Sequence, residues 1–111
     1  MAQGFVAQYA AEAAMQADGV AGLDASSVIS LKEAFGVEHE GKGVKVVFHE
    51  GSDDAVTITV YPVVYFGVII PEVAWAVQER VKADVEKYTG LAVEAVNVHV
   101  KGVVVKEDRV S

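Results

Sequence analysis

VTITVYPVVYFGVIIPEVAWAVQERVKADVEKYTGLAVEAVNVHVKGVVV, residues 56–105, decides the fold. Its apolar residues recur every second position, then at about 3.6, then every second position again, which is the signature of a β-α-β unit. The first strand runs from Val56 to Phe66 and turns at Gly67. Its even positions, Val56, Ile58, Val60, Val64 and Phe66, make an apolar face, and Thr57, Thr59, Tyr61, Val63 and Tyr65 make a mixed one. Pro62 has no N–H to give a ladder, so it marks a bulge or turns its missing donor away from any neighbour. Pro71 suits the start of a helix and Glu72 complements the dipole there. Val73, Val77, Val81 and Val85, with Ala74 and Tyr88, line one stripe of that helix, and Glu79, Lys82 and Glu86 lie opposite. Gly90 is the stop. In the last strand, Val93 to Val105, Val96, Val98 and Val100 oppose Asn97, His99 and Lys101, and Gly102 suits a bulge before Val103.

Upstream, Val44 to His49 alternates as a strand. The turn-forming run Glu50 to Asp54 joins it to Val56 as an antiparallel hairpin. Phe5 to Asp18 reads as an alanine-rich helix with Val6, Tyr9, Ala10, Ala13 and Ala17 on one thin face, which must lie close to a partner, the sheet. Gly19-Val20-Ala21-Gly22-Leu23 reads as the helix exit, packing Val20 and Leu23 inward. Ser30 and Glu33 have capping-box spacing, which predicts a short extra helix ended by Gly36, and Glu38 to Gly43 reads as a polar turn. Lys106 to Ser111 is a charged tail. The expectation is one α+β domain over residues 1–111, with its core at about 5–105 and the order α-β-β-α-β. A three-stranded mixed sheet carries the helices on one face. Lys45, Val47, His49, Thr57, Thr59, Tyr61, Val63, Tyr65, Asn97, His99 and Lys101 occupy the other, which is suited to a partner or a second copy.

Composition narrows the function classes. The chain has no cysteine, so there is no disulfide framework, thiolate nucleophile or cysteine-based zinc site. A net charge of −7 argues against general nucleic-acid binding and unaided adhesion to an anionic membrane. The apolar run Val56–Ile70 is interrupted and too short to span a bilayer, and Met1–Ala17 lacks the basic start of a secretory signal. A cytoplasmic chain without direct membrane insertion is expected. Gly19 and Gly22 have the spacing of the backbone clamp of KH nucleic-acid modules, but Asp18 and Asp24 beside them have the wrong sign for phosphate.

No residue pattern points to catalysis. His39, His49 and His99 are far apart in sequence, and the open face offers His49 and His99 no carboxylate with which to hold a metal. Glu38, Glu40, Asp53 and Asp54 sit in turns, no serine has a histidine and aspartate arranged beside it, and no phosphate loop or dinucleotide fingerprint occurs. The expectation is a non-enzyme with no cofactor and no metal. Trp75, on the polar side of its helix, is either covered by another part of the chain or an anchor for association. Asn97, His99 and Lys101 are either a solvated face or part of an interface, and Tyr61 and Tyr65 beside them favour the interface.

Val60-Tyr61, Val63-Val64, Gly67-Val68 and Ile70-Pro71-Glu72-Val73-Ala74 together resemble the core motif of the alkaline-shock-protein family of bacterial envelope-stress proteins. Val77-Gln78, Val81, Thr89-Gly90-Leu91 and Val96-Asn97-Val98-His99-Val100-Lys101-Gly102-Val103 continue the match. Pro62 stands where the family usually has a β-branched residue, Tyr65 where a charge is common, and Phe66 where tyrosine is. The resemblance implies an abundant, non-enzymatic cytoplasmic protein that self-associates and gathers beneath the membrane through a membrane-anchored partner. Regulation of lipid synthesis through protein contacts is the other role it implies.

Overall fold

The computed structural model describes residues 4–24, 39–41, 43–49, 51 and 54–105. The helix predicted near Ser30–Glu33 and the charged tail lie outside them. The elements are α1 (Gly4–Met15), β1 (Val20–Leu23), β2 (His39–Gly41), β3 (Val44–Phe48), β4 (Ala55–Val60), β5 (Pro62–Tyr65), α2 (Ile70–Thr89), β6 (Ala92–Val98) and β7 (Gly102–Val104).

The expected α+β architecture is present, but its sheet is divided in two. One sheet has the order β2-β3-β4-β6 and the other β1-β5-β7. The hairpin β3–β4 is antiparallel, with Val44 opposite Val60 and Phe48 opposite Val56, and β4 and β6 are parallel across α2. The two long ribbons read from the sequence do exist, and both break at one level. Tyr61 separates β4 from β5, and His99–Lys101 separate β6 from β7. Main-chain bonds cross the break, from His99 N–H to Val60 C=O at 2.9 Å and from Lys101 N–H to Pro62 C=O at 2.8 Å. From Val60↔Val98 to Val63↔Gly102 one ribbon advances by one residue more than its neighbour, so the break is a bulge.

Two strands were not foreseen. The helix exit at Val20–Leu23 is β1, antiparallel to β5, and the polar turn contributes β2, antiparallel to β3. Gly22 is therefore strand, not a phosphate clamp. Gly19 and Gly43 make these approaches feasible. Both have positive φ, and a Cβ on Gly19 would lie 2.7 Å from a Val73 methyl, while one on Gly43 would lie 2.6 Å from the Leu23 Cβ.

The core lies between the helices and one face of the sheets. Val73, Val77, Val81 and Val85 of α2 meet Val6, Ala10, Ala13, Ala14 and Ala17 of α1 and Val44, Val46, Val56, Ile58, Val60, Val64, Val93 and Val96 of the strands. Each fully buried valine contributes about 1.5–3 kcal/mol of transfer free energy. The small alanines let α1 approach both α2 and the sheet, and Tyr9 stacks on Tyr88 at 5.4 Å. At the end of α2, the Thr89 hydroxyl donates to Val85 C=O at 2.6 Å and accepts from Leu91 N–H at 3.1 Å. Gly90 adopts the left-handed conformation there, so the Thr-Gly-Leu sequence is a complete helix stop.

Candidate functional site: two exposed surfaces

The predicted surface residues do not form one patch. On the face away from the helices, side chains pair across the strands. His49 Nε2 lies 2.6 Å from the Thr57 hydroxyl, Asn97 Nδ2 approaches the Thr59 hydroxyl at 3.5 Å, and the His99 ring stacks on Tyr61 with centroids 5.7 Å apart. His49 and His99 therefore sit at opposite ends of the four-stranded sheet. Among the described residues no three potential ligands come together for a metal.

Tyr61 corrects the expectation of an open position. It is only 6% exposed, and its phenol is pushed above its ordinary value by burial. It sits where the sheets meet, its N–H donating to Gly43 C=O and its C=O accepting from Asp24 N–H. Thr59 is buried as well. Tyr65 is half-buried, and Asn97, His99 and Lys101 are exposed along the outer ribbon.

Trp75 is 63% exposed, so α1 does not cover it. It borders an open cleft of about 760 Å³ at the start of α2, with Asp18, Gly19, Val68, Ile69, Pro71 and Val73 among its walls. Ile69 and Ile70 are exposed at the start of α2, as are Phe66 at 73% just before it and Val103, Val104 and Val105 at the end of the outer ribbon. Phe66 is joined to β7 directly, its N–H donating to Val104 C=O at 2.7 Å. The strand parity of Phe66 suggested core. Its position past the end of β5 puts it outside.

Sequence reasoning also missed what α2 does to the sheet edge. Lys82 and Glu86 form an (i, i+4) pair at 2.9 Å, as a solvated helix face would. Yet Glu86 accepts the Val93 N–H at 2.9 Å, Lys82 donates to Val93 C=O at 3.1 Å, and Gln78 donates to Val96 C=O at 3.0 Å. The hydrogen bond from Lys82, then the one from Val93, holds the Glu86 carboxyl below its ordinary value. These side chains occupy the edge of β6 that would otherwise be open to another strand.

A two-layer α+β domain that presents apolar surface and a paired polar sheet face is the class so far defined. A sequence model of the alkaline shock protein 23 family, described as having a cell envelope-related function, matches residues 1–105, and the chain belongs to that family. It is 42% identical to Bacillus subtilis YqhY over 82% of this chain and 65% of YqhY, so it spans just under two-thirds of that relative. It is 37% identical to Bacillus subtilis YloU over 88% of this chain and 81% of YloU. Among solved structures, the zinc form of a MamM CTD variant superposes with a TM-score of 0.50 at 18% identity, covering 96% of this chain and 90% of that one, a likeness of fold. No helix among the described residues is long and apolar enough to cross a membrane.

Proposed function

We propose that this protein is a non-enzymatic, self-associating scaffold of the cell-envelope stress response, held near the cytoplasmic face of the membrane by a membrane-anchored partner. The observation that carries this reading is the exposure of Phe66, Ile69, Ile70 and Trp75 around the start of α2, with Ile69 and Trp75 lining one apolar cleft, in an otherwise acidic chain. Large exposed apolar patches mark interaction sites, and tryptophan is a frequent anchor within them. Membership of a family with a cell envelope-related function supports the setting.

Trp75 is the single tryptophan and reports directly on this surface. Its fluorescence is expected to shift to the blue as protein concentration rises, in step with the mass measured by light scattering. Trp75→Ala is expected to weaken association by about tenfold or more, the scale of an interface hot spot. A chain that remains monomeric at high concentration, with Trp75 emission unchanged by the membrane fraction of stressed cells, would overturn the reading.

A further inference from the structure

The cleft beside Trp75 joins an apolar interior to charge of one sign. Val68, Ile69, Pro71, Val73 and Trp75 wall a volume of about 760 Å³, within the range of about 300–1,000 Å³ usual for ligand sites. The charged residues of its lining are Asp18 and Glu72, both exposed, and among the described residues neither has an ion-pair partner. A second cleft adjoins it along α2, sharing Asp18, Trp75 and Ala76 and adding Glu79 and Arg80. Arg80 is already committed, to the Asp84 carboxylate at 3.2 Å and to the Gln16 side chain. The start of a helix often attracts an anion. Here Pro71 lacks an N–H, and those of Glu72 and Val73 both donate to Ile69 C=O, at 3.0 and 3.1 Å. The Glu72 carboxylate occupies the same first turn. The cleft therefore favours a cation.

We propose that this cleft binds a short segment of a partner protein that combines apolar side chains with lysine or arginine. The apolar side chains fill the space walled by Val68, Ile69 and Val73, which removes their own surface and that of the walls from water. The cation lies over the Trp75 ring, whose negative face attracts it more strongly than that of any other aromatic side chain. Asp18 and Glu72 supply the opposite charge. An anionic segment would meet both carboxylates as like charges, and a purely apolar one would leave them uncompensated. The inference deepens the function proposed above and rests on it for the source of the segment. Where a membrane-spanning helix emerges on the cytoplasmic side, lysine and arginine are in excess beside its apolar span. A membrane-anchored partner therefore carries such a segment next to the bilayer.

A short amidated peptide of alternating leucine and lysine is the probe. Added to protein dilute enough to be monomeric by light scattering, it is expected to shift the Trp75 emission to the blue. Its glutamate-for-lysine and serine-for-leucine counterparts should bind about tenfold more weakly, from like-charge repulsion in one and lost burial in the other. Anisotropy of the dye-labelled peptide reads the variants. Trp75→Ala should weaken binding by about tenfold or more. Asp18→Asn and Glu72→Gln should each weaken it by about two- to fivefold, the scale of exposed charge pairs. Glu94→Gln, exposed on β6, removes the same charge and should leave binding unchanged. Equal losses in Glu72→Gln and Glu94→Gln would reveal attraction to net charge alone and overturn the inference. So would a peptide that leaves the Trp75 emission unchanged; if the wild type still self-associates, the scaffold reading stands without it. Peptide binding by a chain that stays monomeric at high concentration would uphold the cleft and remove self-association from that reading. Should a variant fail to fold by circular dichroism, the three peptides compared on the wild type decide alone.

Discussion

Gly19 shows how closely the chain is drawn together at single residues. Its φ of +95° is in the left-handed region, and any Cβ there would lie 2.7 Å from a methyl of Val73, at the base of the cleft beside Trp75. Gly19→Ala should therefore lower stability by about 1–3 kcal/mol, combining backbone strain with overpacking, as chemical denaturation would show. Gly51, also at positive φ but with open space around it, should cost less on the same substitution. At this scale the sequence was legible where a residue answers to its own strand or helix. Parity placed Val56, Ile58, Val60 and Val64 in the core, and helical spacing did the same for Val73, Val77, Val81 and Val85. It failed at Tyr61, whose burial comes with the approach of the Gly43 and Asp24 backbones from other elements. Nothing in the alternation of residues 56–66 encodes where those elements arrive.

Among the elements, α2 does two jobs, and only one was readable. Its valine stripe, proline entry and Thr-Gly-Leu stop all follow from local chemistry. The three bonds to the β6 edge do not, because Glu86 and Lys82 satisfy an ordinary surface-helix pattern before any strand is considered. Glu86→Ala should destabilise the fold by about 0.5–1.5 kcal/mol by unbinding the Val93 N–H. The effect has a defined pH course. The carboxyl titrates below its ordinary value of 4.5 in the folded chain, so its contribution is present above that value and disappears as pH falls through the lower folded value. Denaturation curves of wild type and variant should converge in acid; a constant difference down to that range would show that the charge is not involved. The candidate surface was legible to a similar degree. Trp75 was singled out correctly as lying off the stripe, whereas Phe66 was assigned inward because parity cannot tell where a strand ends.

The whole molecule joins a helix-bearing sheet to a smaller one through a shared core, since Val20 of β1 and Val64 of β5 belong to the same cluster as α1 and α2. Amide exchange in dilute solution should report this organisation. The Val93 amide, held by Glu86, and the central amides of β4 should be protected, while those of Val103 and Val105 should exchange rapidly. Equal protection along both halves of the outer ribbon would contradict it. The division into two sheets was not apparent from the sequence, because Pro62 and Gly102 each read as a local irregularity. Only the register shows that the two irregularities fall side by side.

That coincidence gives the protein a crease. Two neighbouring chains step together from one panel to the next, so any tilt of the small panel would carry Val20 and Val64 with it and press on the valines of the helix. Aiming the outermost strand differently would therefore take matched changes at the fold line and in the interior beneath it.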